Sequence, residues 1–170
     1  LFTGMRVGIA SAQAIAQVID VSIIPVTSLD ILAAAVQTGN DVITSIVDAR
    51  RGEVYWSLYR MADGKLKQVG KPQIGTPEMC AVDVLDRGQS TLLVGTGALK
   101  HEVEFRERLN PVLPALEFAD DKHSMPLAST LVEIAHERAL RGEWVLVDEV
   151  VPMYLRAPDA EINWATRSAQ

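Results

Sequence analysis

The run Val42-Ile43-Thr44-Ser45-Ile46-Val47, continued by Asp48-Ala49-Arg50-Arg51-Gly52 and then Glu53-Val54-Tyr55-Trp56-Ser57-Leu58-Tyr59-Arg60, decides the fold. Its first six residues are β-branched and mostly apolar, as in a strand covered on both faces. The charged turn that follows ends in glycine, and the chain returns as a second strand, so the spacing predicts a hairpin. Asp63-Gly64 marks another tight turn before a third short strand near Leu66–Val69. Downstream, Thr76-Pro77-Glu78 is a helix start, with a capping hydroxyl, proline at the first helical position and an acid in the first turn. That helix is expected to stop near Arg87-Gly88. Thr91-Leu92-Leu93-Val94 then reads as a strand, Leu99 to Leu109 as a helix, and Val112 to Phe118 as a strand interrupted by Pro114. A last helix is expected from about Ser124, with Leu127, Leu131, Ile134 and Ala135 on one face and Gly142 as its stop. Residues 40–148 therefore read βββαβαβα, one complete lobe.

Working back toward the N-terminus, a helix capped by Thr3 is predicted to run to about Ile19. Its strongly polar side chains, Arg6, Gln13 and Gln17, fall on one narrow stripe at 3.6 residues per turn. Gly4, Gly8, Ala12 and Ala16 recur every four residues and form a smooth ridge, flanked by Met5, Ile9 and Ile19. A helix apolar over more than half its circumference needs two neighbours, here expected to be a sheet and another protein. Ser22-Ile23-Ile24-Pro25-Val26 reads as a short strand, and Ser28 as the cap of a helix over Leu29–Gln37 that stops at Gly39. Residues 1–39 thus read αβα, the remainder of the same order once βββαβ is taken from its front. Two copies of one topology, one complete and one truncated, predict an α/β protein with two ribonuclease-H-like lobes, and residues 149–170 an extended tail.

Composition narrows the function classes. With 170 residues, 48% hydrophobic and 22% charged, the chain has material for a real core. No apolar run approaches a membrane span. A single cysteine, Cys80, excludes an internal disulfide framework and fits a reducing cytoplasm. The net charge of −6 argues against this chain gripping a polyanion alone.

Among possible site residues, Gly95-Thr96-Gly97 lies between a strand and a helix, where backbone N–H groups could cradle a phosphate; the plainer reading is a tight turn. Asp48, Glu53 and Arg50-Arg51 could form a carboxylate pair or an anion site, the plainer reading being a solvated hairpin tip. His101, His123 and His136 lack ligand-like spacing, and Cys80 sits among Met79, Ala81 and Val82 as a buried thiol would. No catalytic or metal-binding residue is expected.

Four blocks, Phe2-Thr3-Gly4-Met5-Arg6-Val7-Gly8-Ile9-Ala10, Pro25-Val26-Thr27-Ser28-Leu29-Asp30, Asp48-Ala49-Arg50-Arg51-Gly52-Glu53-Val54-Tyr55 and Pro152-Met153-Tyr154-Leu155-Arg156-Ala157-Pro158, resemble in that order the bacterial TsaB family, also called YeaZ-like or glycoprotease-like. The resemblance implies the actin-like ATPase fold with two ribonuclease-H-like lobes, and an N-terminal part of the first lobe that is not in this chain. It implies a non-catalytic role in making the threonylcarbamoyl modification of adenosine 37 in tRNA, beside a TsaD-like transferase and a TsaE-like ATPase. In the transferase a pair of histidines binds metal; the matching positions here are Ser28 and Leu32, which cannot. The family's contact with its transferase, and its pairing as a homodimer, would run through the ridge Gly4, Met5, Gly8, Ile9, Ala12, Ala16 and Ile19. No intrinsic cofactor is expected, with ATP or ADP at the complex with partners and tRNA reached mainly through them. Two other readings stand beside this one: a nucleotide-binding transferase acting alone through Gly95, Thr96 and Gly97, and a homodimeric interaction module or protease-like protein.

Overall fold

The computed structural model describes residues 2–156, so Ala157-Pro158 and the rest of the expected extended tail lie outside the described residues. The elements are α1 (Phe2–Ile19), α2 (Ser28–Ala34), β1 (Val42–Arg50), β2 (Glu53–Ala62), β3 (Lys65–Gln68), β4 (Gln73–Gly75), α3 (Pro77–Leu85), β5 (Thr91–Val94), α4 (Thr96–Lys100), α5 (Glu102–Leu109), β6 (Leu116–Phe118) and α6 (Ala128–Leu140), with single helical turns at Asp121–His123 and Val147–Glu149. They group into two compact units, one of residues 24–144 and one of the residues up to Ile23 together with those from Val145. No helix among the described residues is long and apolar enough to cross a membrane.

In the larger unit the sheet order is β3-β2-β1-β5-β6, with β4 also pairing with β2. β1, β2 and β3 are antiparallel neighbours, whereas β5 and β6 run parallel to β1. This is the ribonuclease-H-like arrangement that the element order predicts, and it belongs to the actin-like class. β1 is central because it has no face for water: Val42 to Ile46 are all buried. Val42 and Ile46 enter the main core with Trp56, Leu58, Val84, Leu93, Phe105 and Leu109. Ile43, on the opposite face, packs with Tyr59 and Val94 under Leu29, Leu32 and Ala33 of α2. That packing explains why α2 falls in the larger unit, although residues 1–39 were expected to stand together. Ser45, the polar residue on that face, is satisfied because its hydroxyl donates to Leu29 O at 2.8 Å.

Local chemistry sets the boundaries. Thr76 caps α3 as expected, its Oγ1 accepting from Met79 N at 3.3 Å. α2 is capped by Thr27 rather than Ser28: Asp30 N donates to Thr27 Oγ1, and Thr27 N donates to Asp30 Oδ2, a reciprocal capping box. α2 ends with Ala35 as its cap, so Gly39 is not its stop. α1 begins at Phe2, which puts Thr3 in its first turn rather than at its cap. The expected strand at Ser22–Val26 is a single bridge, Ile23 with Val145; Pro25 has no N–H with which to extend it.

The expected helix Leu99–Leu109 is two helices that meet at His101. α4 packs along β1, while α5 turns Phe105 and Leu109 into the core. Val112 and Leu113 continue the end of α5 through bonds to Leu109 O, so β6 begins only at Leu116, after Pro114. The last helix starts at Ala128 because Met125 precedes Pro126, which disfavours helical backbone there. Leu127 and Leu131 remain exposed while Thr130 is buried, and α6 reaches α2 through Arg138, whose Nη2 donates to Asp30 Oδ2 at 3.1 Å. β4 is a short strand that the sequence pattern did not signal.

Gly95 is the tightest point of this packing. It has φ 110°, and a Cβ there would lie 2.4 Å from Ile46 O and 3.0 Å from Leu32 Cδ1. Gly95→Ala is expected to destabilise the chain by about 2–4 kcal/mol, since both backbone strain and a clash with β1 are introduced. Urea unfolding followed by tryptophan fluorescence measures this; a loss below about 0.5 kcal/mol would contradict the packing described.

Candidate functional site

α1 is exposed over most of its circumference. Among its described side chains only Ile9, Gln13 and Ala16 are not exposed, and they form one stripe at i, i+4 and i+7. Gln13 belongs to the polar stripe. Its Nε2 donates to Val147 O at 2.7 Å and to Val150 O at 3.1 Å, while Arg6 Nε donates to Tyr154 Oη at 2.7 Å. Val147, Val150 and Tyr154 thus accept hydrogen bonds from two residues of the polar stripe, although Arg6 and Gln17 themselves stay exposed. The opposite side carries Gly4, Gly8 and Ala12, all exposed, with Met5, Ile15, Val18 and Ile19 around them. Val18 is 85% exposed, far beyond what an apolar side chain shows on a covered face. A Cβ at Gly4 or Gly8 would meet nothing within 4 Å. Of the expected ridge, Ile9 is half-buried and Ala16 buried, so the open surface is Gly4, Met5, Gly8, Ala12 and Ile19.

The second cluster lies in the larger unit, where the β1–β2 hairpin meets the β5–α4 turn. Arg50, Arg51 and Gly52 all have positive φ (64°, 56° and 75°), and the register shifts between Asp48 and Arg50. A two-residue hairpin with both central residues left-handed matches the twist of the strands, and the bulge before it re-aims the chain. Asp48 organises the corner. Its Oδ1 accepts from Arg50 N at 3.0 Å, both its carboxylate oxygens accept from Lys100 Nζ at 3.0 Å, and its N–H donates to Thr96 Oγ1 at 3.2 Å. Burial of this carboxyl opposes its ionisation, but the Lys100 ammonium and the Arg50 N–H outweigh it and hold Asp48 below the usual carboxylate range. Gly95 and Gly97 are explained by β1 itself: a Cβ on Gly97 would lie 2.7 Å from Ile46 Cγ2. α4 spans five residues, Thr96–Lys100.

The remaining sequence candidates are dispersed. His101 Nδ1 lies 3.6 Å from Glu104 Oε2, His123 Nδ1 lies 2.5 Å from Asp120 Oδ1, and His136 is exposed on α6. Among the described residues no group of three or more His, Cys, Asp or Glu could hold a metal ion. Ser28 opens α2, and Leu32 is fully buried in the core. Cys80 is also fully buried; desolvation, and then the charge of Asp83, push its thiol well above its ordinary value.

Residues 1–164 match the family described as TsaD: tRNA N6-adenosine threonylcarbamoyltransferase. The tRNA threonylcarbamoyladenosine biosynthesis protein TsaB of Bacillus subtilis (strain 168) is 31% identical over 165 residues, which take in 96% of this chain and 68% of that protein. The chain belongs to the TsaB family. TsaB of Escherichia coli (strain K12) is 27% identical over 158 residues, 91% of this chain and 66% of the relative. A solved structure from Pseudomonas aeruginosa, of a protein described as similar to the peptidase YeaZ, superposes with a TM-score of 0.73 at 29% identity, covering 92% of this chain and 69% of that one. The chain spans about two thirds of the length of these relatives.

Two of the TsaB-like blocks acquire physical roles in the structure. In the Pro25–Asp30 block, Asp30 closes the capping box, accepts from Tyr59 Oη at 2.9 Å and pairs with Arg138 at 3.1 Å, while Arg138 Nη1 also donates to Pro25 O. That node ties α2 to β2 and α6. In the Asp48–Tyr55 block, Asp48 ties β1 to α4. Sequence reading missed both Arg138 and Lys100, because no spacing signal links residues 108 and 52 positions apart.

The Asp48–Lys100 pair sets a pH dependence. A carboxylate with a depressed folded pKa adds stability above its unfolded pKa, near 3.9, and that stability is lost as pH falls through the folded value. Lys100→Met is expected to raise the Asp48 pKa and to cost about 0.5–1 kcal/mol at pH 7, since Lys100 is half exposed and its pairing is screened. The cost should fade below about pH 4. Carboxyl NMR titration with unfolding at pH 7 and pH 3 checks it; an unmoved Asp48 would overturn the assignment.

Proposed function

We propose that this chain is a non-catalytic subunit of tRNA threonylcarbamoyladenosine modification, acting in the cytoplasm as a scaffold that activates a TsaD transferase through α1. The observation that carries the reading is the open face of Gly4, Gly8 and Ala12, bordered by Met5, Ile15 and Ile19. Small residues at every fourth position let a partner helix approach closely, while the larger side chains at the border supply apolar area. Fully burying one Ile or Met contributes roughly 1.5–3 kcal/mol. Association costs about 4–15 kcal/mol in lost freedom, so the whole helix face is required rather than one anchor.

The mechanism is a population shift: binding energy favours the transferase's active conformation, and this chain performs no chemical step. A TsaE-like ATPase would join the pair, with ATP or ADP held at the complex. The net charge of −6 fits a subunit that reaches tRNA mainly through its partners. In the absence of the transferase, two copies of this chain would pair through the same face. The other reading, a transferase acting alone through Gly95, Thr96 and Gly97, loses its main argument, because β1 already accounts for both glycines.

Ala12→Glu puts a charge in the middle of the face without touching either core. Binding to the cognate TsaD, followed by co-purification, is expected to be lost while the melting temperature stays within about 2 °C, as for other exposed substitutions. Normal co-purification of Ala12→Glu with TsaD would refute the interface.

A further inference from the structure

The helix that carries this face is held by directed hydrogen bonds from Gln13 and Arg6. Gln13 sits at the centre of the covered stripe, and its one amide nitrogen donates to Val147 O and Val150 O, at the two ends of the single turn Val147–Glu149. That turn is closed on itself by Leu146 N donating to Glu149 Oε2 at 2.8 Å and Glu149 N donating to Leu146 O at 3.1 Å. Two helical turns back along α1, Arg6 donates to Tyr154 Oη, with its guanidinium carbon 5.5 Å from the Tyr154 ring centroid. Residues 147–154 therefore run antiparallel to α1 as a strap: its start lies at Gln13 and its later part at Arg6.

Apolar contact contributes little to this grip, since only Ile9 and Ala16 of the described α1 side chains are covered with Gln13. Apolar contacts are also non-directional, whereas an amide aimed at two carbonyls and a guanidinium aimed at a phenol are not. Rolling α1 by one residue, about 100°, would take Gln13 away from both carbonyls.

We infer that Gln13, with Arg6 and Tyr154, are positioning residues through which the strap fixes the roll of α1 and keeps Gly4, Gly8 and Ala12 turned outward to the transferase subunit. This rests on the reading of α1 as the transferase interface. Gln13, alone of the polar stripe, thus lies on the covered face of the helix, and the strap is a working part of the docking surface.

The experiment uses the whole chain with a cysteine introduced at Ala16, which is covered, or at Ala12, which is open; the natural Cys80 is fully buried and stays silent. Gln13→Glu keeps the side-chain size but replaces donors with acceptors facing two carbonyls, and Gln13→Ala is the milder variant. With Gln13→Glu, labelling of the Ala16→Cys thiol by a small disulfide reagent is expected to accelerate at least tenfold, and with Gln13→Ala about threefold. Labelling of Ala12→Cys should be unchanged, and affinity for the cognate TsaD should fall at least tenfold with Gln13→Glu. Unchanged labelling at position 16 in both variants would overturn the role of the strap. Faster labelling there with unaltered TsaD affinity would leave the grip of the strap standing and overturn the reading of α1 as the interface.

Discussion

A strand with no solvent side forces a layer onto each of its faces, and β1 is such a strand. Val42 and Ile46 require α3 and α5 over one face, and Ile43 requires α2 over the other. Because α4 must also come close beside it, the β5–α4 turn can be nothing but glycine at Gly95, where Ile46 O occupies the place of a side chain. Asp48, at the end of the same strand, then collects Lys100, Thr96 and the hairpin N–H of Arg50. The corner that resembles a phosphate cradle in sequence is therefore a packing joint that locks helix to strand. Within it the carboxylate of Asp48 faces the ammonium of Lys100.

α1 presents the opposite situation. It has more apolar surface than the described residues of its unit cover, and what is covered is the stripe Ile9, Gln13 and Ala16. Val18, Ile15 and Ile19 are exposed while Gln13 and Arg6 hydrogen-bond to residues 147–154, and the exposed apolar face is the one proposed for a second molecule. The proposed scaffolding role rests on that geometry, and relatives of the chain are named for tRNA threonylcarbamoyladenosine biosynthesis.

Much of this was legible in the residues. The strands Val42–Val47, Glu53–Arg60 and Thr91–Val94 carry β-branched or aromatic runs between turn signals, so pattern alone located them, and Thr76-Pro77-Glu78 fixed the start of α3. Boundaries failed where tertiary forces decide. Nothing local tells that His101 divides one helical run into α4 and α5, because the division serves the separate demands of β1 and the core. Nor could sequence tell which side of α1 faces inward, since a polar stripe ordinarily means solvent. The covered position of Gln13 depends on two carbonyls more than 130 residues away. Asp48 and Asp30 were visible within blocks like those of the TsaB family, but their partners Lys100 and Arg138 become neighbours only through the sheet.

The central claim is that α1 offers its small-residue face to a transferase. Hydrogen–deuterium exchange of the chain alone and in complex with TsaD tests it most directly, since amide protection reports the element that docks. The account predicts that slowed exchange appears across residues 4–19 on complex formation, with the sheet of the larger unit unchanged. A stable complex in which α1 exchanges as fast as in the free chain, with protection instead at the β1–β2 hairpin or α6, would contradict it.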